Sequence, residues 1–210
     1  MTLICFEGID GCGKDTQIEL TADWLRTVTN RPVVVTRQPG GTEIGQTLRR
    51  LLLDPASQIN IFAEFLIFAA DQAQHTDWIK EQLSNGAIVL TNRYAYSSLA
   101  YQMYGRGLET NFKDHFYSII KFAQQGLWPA QTIWLDVPVE TGLARVHQNG
   151  NLDRLEQKGA EFFERVRAGY IELAEIFEFK RIDGTQSIDT VQSQIRGLFL
   201  ELNNKLLITN

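Results

Sequence analysis

Cysteine, histidine and long apolar stretches are scarce in this 210-residue chain, which holds two Cys and three His and no uninterrupted apolar run longer than Phe65 to Ala70. A bilayer span needs roughly 20 such residues, and the N-terminus lacks the charged-then-apolar layout of a signal peptide. Neither membrane insertion nor secretion is expected. Cys5 and Cys12 are too few for a disulfide framework and lack the paired spacing of a zinc site, so a reducing, cytoplasmic setting is expected. His75, His115 and His147 form no short ligand pair, which argues against a protein-ligated transition metal. A basic excess is also missing: 20 Lys and Arg stand against 25 Asp and Glu, a net charge of -5. Nucleic-acid binders gather positive charge on one face, so no nucleic-acid partner is expected, while small phosphorylated ligands remain open.

What the chain does have is a regular alternation. Short runs of branched and aromatic residues at Leu3 to Phe6, Val33 to Thr36, Ile88 to Thr91, Thr132 to Val137 and Phe179 to Ile182 read as strands. Between them lie stretches with helical spacing, such as Ile18, Ala22, Leu25, Val28 and, near the C-terminus, Ile188, Val191, Ile195, Leu198, Leu202. Strand followed by helix, repeated, predicts an α/β fold with a parallel sheet covered on both faces. With no repeat or linker in evidence, residues 1–210 read as one domain. Turn-forming clusters at Gly8 to Gly13 and Pro39-Gly40-Gly41 follow the first two strands, at the sheet edge where open α/β folds bind ligands. Further clusters lie at Gly105-Arg106-Gly107 and at Asn149-Gly150-Asn151, and the last, in a polar stretch between helices, is expected to form a mobile lid.

Gly8-Ile-Asp-Gly-Cys-Gly-Lys14 matches G-x-x-x-x-G-K between a strand and a helix. In that loop, backbone N–H groups wrap a phosphate while Lys reaches the outer phosphates. Ser or Thr normally follows and ligates Mg²⁺; here Asp15 precedes Thr16. Arg37 and Arg93, at the ends of the second and third strands, are placed to hold phosphate oxygens beside the loop. Neither a Ser-His-Asp nor a Cys-His arrangement is legible, and an N-K-x-D guanine signature is missing.

Three blocks carry a resemblance. They are Gly8-x-Asp10-Gly11-x-Gly13-Lys14-x-Thr16, Thr36-Arg37-x-Pro39-Gly40-Gly41-Thr42, and Arg93-Tyr94-x-x-Ser97-x-x-Ala100-Tyr101-Gln102 running into Gly105-Arg106-Gly107. With Leu66-Ile-Phe68-Ala-Ala-Asp-x-Ala-Gln-His75, Leu135-Asp-Val-Pro138 and Leu152-Asp-Arg-Leu-Glu156, the sequence resembles bacterial thymidylate kinases over its whole length. The resemblance implies a P-loop nucleoside monophosphate kinase fold, with a five-stranded parallel sheet flanked by helices and a short lid at about 145–156. It implies transfer of the ATP γ-phosphoryl group to dTMP, giving dTDP and ADP, with Mg²⁺ accompanying ATP, and a homodimer. By the same likeness Gly8, Asp10, Gly11, Cys12, Gly13, Lys14, Asp15 and Thr16 hold ATP. Arg37 and Arg93 hold the acceptor phosphate, Asp10 meets the sugar 3′-hydroxyl, Phe68 stacks on thymine, Tyr101 lies under the deoxyribose, and Ser98, Gln72 and Gln102 lie toward the base. Lys14, Arg93, Asp10 and a lid cation, Arg154, form the catalytic set.

Five features depart from that family's pattern: Asp15, Gln38 where Glu is usual, Asn92 where Asp is usual, Gln72 in place of a base-contacting Arg, and a lid poor in arginine. Asp15 and Asn92 are linked, because two carboxylates about 4 Å apart repel by roughly 4 kcal/mol at an effective dielectric of 20, so one relocated carboxylate, Asp15, is expected to ligate Mg²⁺. Gln72 leaves open a deoxynucleotide kinase of altered base choice. The five together leave open a nucleotide-binding protein without turnover.

Overall fold

The apolar runs form five strands: β1 (Thr2–Glu7), β2 (Val33–Arg37), β3 (Ile88–Asn92), β4 (Gln131–Asp136) and β5 (Lys180–Asp183). The computed structural model describes residues 2–148, 150 and 152–206, the last five as backbone helix only. Asn149 and Asn151 of the last turn cluster, within the 145–156 segment, lie outside the described residues. The strands pair in parallel in the order β2-β3-β1-β4-β5. β1 is buried along its whole length, as a central strand covered by helices on both faces must be.

The helices are α1 (Lys14–Val28), α2 (Glu43–Leu53), α3 (Ile61–Ser84), α4 (Ala95–Ser98), α5 (Glu109–Gln124), α6 (Val139–Gln148), α7 (Ala160–Ile176) and α8 (Ile188–Leu206). Among the described residues, no helix is long and apolar enough to cross a membrane. α1 buries Ile18, Ala22 and Leu25 as its spacing predicts, but Val28 at its last turn is half exposed. Likewise α8 buries Val191 and Ile195 while Ile188 in its first turn faces solvent. Helical periodicity thus continues into terminal turns whose apolar residues are no longer buried.

α2 starts where the Thr42 hydroxyl accepts from the Gly45 N–H at 3.0 Å, and α3 where the Asn60 side chain accepts from the Phe62 N–H at 2.9 Å. α4 continues as a π-helical turn over Leu99–Tyr104. Such turns concentrate at functional sites, and this one buries Tyr101 and Gln102 on a helical stretch that begins three residues beyond the end of β3.

Candidate active site

Residues Gly8 to Gly13 connect β1 to α1, and Gly8, Gly11 and Gly13 have φ of 139°, 76° and 98°. A Cβ on Gly8 would strike the Leu135 carbonyl, and one on Gly11 the Gly142 carbonyl. Only glycine lets β4 and α6 come this close to the loop. Gly13, Lys14, Asp15 and Thr16 line a polar cleft of about 490 Å³. The first N–H groups of α1 have no helical partners, and the positive end of the helix favours an anion there. The Lys14 ammonium donates to the carbonyls of Gly8 and Ile9, both at 2.9 Å. Arg145 also lines the cleft and donates to the Gly11 carbonyl at 3.2 Å.

Arg93 closes the inner end of that cleft. Its backbone is left-handed at φ 68°, a conformation that costs a non-glycine residue about 1 to 3 kcal/mol and persists only where the surroundings impose it. They do so densely. Its guanidinium donates to the Gly8 carbonyl at 2.9 Å, to Ser97 Oγ and Tyr170 OH at 3.1 Å, and to Asp10 and Tyr101 OH at 2.7 Å. Behind this cation lies Glu7, fully buried, which accepts from the Tyr94 N–H at 3.0 Å, the Ser97 N–H at 3.2 Å and the Tyr170 hydroxyl at 2.8 Å. Burial alone would raise the Asp10 carboxyl, but Arg93, Lys14 and the Tyr101 hydroxyl outweigh it and hold the group below the ordinary carboxylate range. Burial pushes the Tyr101 phenol well up, so it stays protonated and donates to Asp10 at 2.7 Å.

A second cavity lies beyond Arg93, walled by Phe68, Ser98, Tyr101 and Gln102 together with Tyr94 and Leu155. Asp10, Gln38, Arg49, Arg93 and Asp153 line both cavities, so cleft and pocket meet across these side chains. Gln38 is buried there with both polar side-chain atoms unpartnered.

The structure redistributes several residues. Arg37 lines the polar cleft rather than the second cavity. Gln72 is fully buried off the cavity wall, donating to Thr76 Oγ1 at 3.2 Å, and Thr76 bonds the Tyr94 hydroxyl at 2.8 Å. Tyr94, not Gln72, presents this relay to the cavity. Arg154 is not at the cleft: its guanidinium is buried against Glu64 at 2.7 Å and donates to the Leu52 carbonyl, also at 2.7 Å. Its side chain turns away because α2 and α3 offer it a carboxylate and a carbonyl. Arg49, on the wall of both cavities and donating to the Pro39 carbonyl at 3.0 Å, goes unread in the sequence, although it lies two helical turns past the Thr42 cap. Glu7 is likewise unmarked by any motif spacing, and Asp153 lies within the Leu152-Asp-Arg-Leu-Glu156 block without a role read for it.

α3 supports the Gln38–Thr42 loop from below. Asp71 accepts from the Gly40 N–H at 3.1 Å, and His75 bonds the Thr36 hydroxyl at 2.8 Å. Burial holds His75 down at about 4, so its ring is neutral. Burial likewise lifts the Asp71 carboxyl to about 6, against the pull of the Gly40 N–H and the Arg49 charge. A raised carboxyl stabilises the fold below its unfolded value near 4 and loses that contribution as pH rises through about 6. Asp71→Asn is permanently neutral, so its melting temperature should gain on the native protein from pH 4 to 7.5, by the equivalent of about 2 kcal/mol. A gap that does not change with pH would refute this.

A thymidylate kinase family model matches residues 6–195. The thymidylate kinase of Carboxydothermus hydrogenoformans is 42% identical over 201 residues, covering 95% of this chain and 97% of that protein. That of Nostoc sp. (strain PCC 7120) is 45% identical over 201 residues and 93% of each chain, and that of Halothermothrix orenii 42% over 196 residues, covering 91% and 93%. Phosphate loop, strand-end arginines and aromatic pocket thus stand in a sequence matched nearly end to end, and the chain belongs to the thymidylate kinase family.

Proposed function

We propose that this chain transfers the γ-phosphoryl group of ATP to the 5′-phosphate of dTMP, giving dTDP and ADP. The observation that carries the proposal is the junction at Asp10, Arg49 and Arg93, where a phosphate-loop cleft opens onto a pocket walled by Phe68 and Tyr101. Phosphoryl transfer through a loose transition state needs in-line placement and cationic compensation rather than a covalent nucleophile. In this reading the loop amides, Lys14 and Arg145 hold the ATP phosphates. Arg93 and Arg49 hold the acceptor phosphate between the two cavities, with Arg37 adding charge from the cleft side. Phe68 packs on the thymine ring, Ser98 and Gln102 offer polar contacts to its edge, and Gln72 acts through Thr76 and Tyr94. Asp10 is fixed as a carboxylate and accepts from the sugar 3′-hydroxyl. Tyr101 lies against the deoxyribose, where a 2′-hydroxyl would be crowded out.

Hard oxygen donors at the cleft suit Mg²⁺, which is usually held by one or two carboxylates together with substrate phosphates. Asp15 and Thr16 line the cleft, and the Asn92 side chain donates to Asp15 at 2.8 Å, fixing the carboxylate in place. Among the described residues, no group of three or more His, Cys, Asp or Glu could enclose a metal alone. Bound with ATP, Mg²⁺ would neutralise charge on the β- and γ-phosphates. Asp15→Ser should raise the Mg²⁺ concentration for half-maximal ATP binding about tenfold, a loss near 1.4 kcal/mol. An unaltered Mg²⁺ titration would remove Asp15 from the metal site.

Self-association as a homodimer goes with Ile44 and Leu51, one heptad apart on α2, and Phe62 and Leu66 on α3, all exposed. A monomer in sedimentation at micromolar concentration would dismiss it. A cytoplasmic location, where ATP is the ready phosphoryl donor, fits the same reading.

The test of the activity is mass-spectrometric product detection after incubation with ATP, Mg²⁺ and each of dTMP, dUMP, dCMP, dGMP, dAMP and UMP. Formation of dTDP well ahead of the others is the expected result. A different preferred diphosphate would overturn the assigned base, and nucleotide binding without product would overturn the activity.

A further inference from the structure

Segment 152–158 forms one side of the site: Asp153 lines both cavities, Leu155 the acceptor pocket and Glu156 the cleft. Locally it is tied to itself. Asp153 accepts from the N–H groups of Leu155 at 2.8 Å and Glu156 at 2.9 Å, Glu156 accepts back from the Asp153 N–H at 2.8 Å, and Gln157 donates to the Leu152 carbonyl at 2.9 Å. This reciprocal Asp-x-x-Glu box shapes the turn but joins it to nothing else.

Among the described residues, every hydrogen bond or ion pair from the segment to another element runs through one residue. The Arg154 N–H donates to the Leu53 carbonyl at 3.0 Å, its Nε to the Leu52 carbonyl at 2.7 Å, and its Nη1 pairs with Glu64 at 2.7 Å. Glu64, fully buried in the first turn of α3, also receives Arg106 at 2.5 and 3.2 Å, and the Arg106 guanidinium lies 5.4 Å over the Phe162 ring of α7. One carboxylate therefore joins α3, the Gly105–Gly107 loop and the segment that carries Asp153 and Leu155. A guanidinium suits such a joint because its fixed fork reaches a carbonyl and a carboxylate at once, which an ammonium cannot do from one position.

We infer that Arg154 is a positioning residue: its pairing with Glu64 fastens segment 152–158 to α2 and α3 and so holds Asp153 and Leu155 against the acceptor nucleotide. It acts on acceptor binding through those neighbours, with no contact to the transferred phosphoryl group. This rests on the assignment of the Phe68 pocket to the acceptor.

Arg154→Met tests it, since methionine fills the buried channel while Glu64 keeps its pair with Arg106. Two readings are taken on the full-length protein: amide hydrogen exchange of 152–158 without substrate, and KM and kcat for dTMP and ATP. The joint predicts faster exchange in 152–158 with the β-sheet unchanged, and a dTMP KM raised about tenfold with ATP KM and kcat within about threefold. Arg154→Lys, able to keep the ion pair without the Leu52 bond, should fall between, and carries the same comparison if the methionine variant does not fold. Unchanged exchange, or an unchanged dTMP KM, overturns the inference, as does a kcat loss of about 10³, the mark of a cation on the transition state. If the native protein makes no dTDP, the acceptor assignment fails, while the exchange measurement still decides whether Arg154 fastens the segment.

Discussion

Arg93→Ala is expected to lower kcat/KM for dTMP by about 10³-fold or more, the range in which an arginine compensating phosphoryl charge operates. Two losses combine. One is the cation at the junction of the two cavities, proposed above to hold the acceptor phosphate. The other is the partner that keeps Asp10 ionised and aims it, since Arg93 donates to that carboxylate at 2.7 Å. Arg93→Lys should recover only part of the rate, because an ammonium cannot reach Asp10, Tyr101, Ser97 and the Gly8 carbonyl from one position. Steady-state turnover with ADP release followed by a coupled assay decides the point, with far-ultraviolet circular dichroism verifying the fold. A loss smaller than about tenfold would contradict the assignment of the acceptor phosphate to Arg93.

Glu7→Ala should cost about 3 to 5 kcal/mol of folding stability, the usual penalty for removing one partner of a buried charged network. The carboxylate accepts from two backbone N–H groups of the 94–97 turn and from the hydroxyls of Ser97 and Tyr170, all in the interior. Alanine leaves those donors without acceptors and removes the buried negative charge nearest Arg93's hydroxyl partners. It also frees the turn that imposes the left-handed backbone on Arg93. Glu7→Gln keeps one oxygen for the two N–H groups and should restore roughly half of the loss. Urea unfolding provides the measurement, read as a shift of the midpoint at constant slope. A midpoint for Glu7→Ala equal to that of the native protein would show that water, not Glu7, satisfies the turn.

The strands and the phosphate loop were legible because each depends on neighbours in the chain. Leu3 to Phe6 and Ile88 to Leu90 are apolar without a break, as only centrally buried strands need to be, and Gly8 to Lys14 carries its spacing within seven residues. Phe68, Ser98, Tyr101 and Gln102 were reached by likeness to a family, and the structure gathers all four on one cavity wall. Periodicity alone would have assigned Phe68 to the core, and its near-complete burial shows why pattern cannot separate the two roles.

Arg154 and Arg49 show the limit from opposite sides. A guanidinium in a polar turn reads as a cation for phosphate, yet Arg154 is drawn 90 positions back along the chain to Glu64, while the unremarked Arg49 of α2 takes a place on both cavities. Nothing local distinguishes them, because which carboxylate or carbonyl lies within reach of a long side chain depends on how helices distant in sequence pack. Element order, sheet class and the phosphate loop follow from short-range patterns of burial and backbone freedom. The partners of Arg49, Glu64, Arg93 and Arg154 follow from three-dimensional proximity, because a buried charge takes whichever opposite charge or dipole the fold brings within about 3 Å.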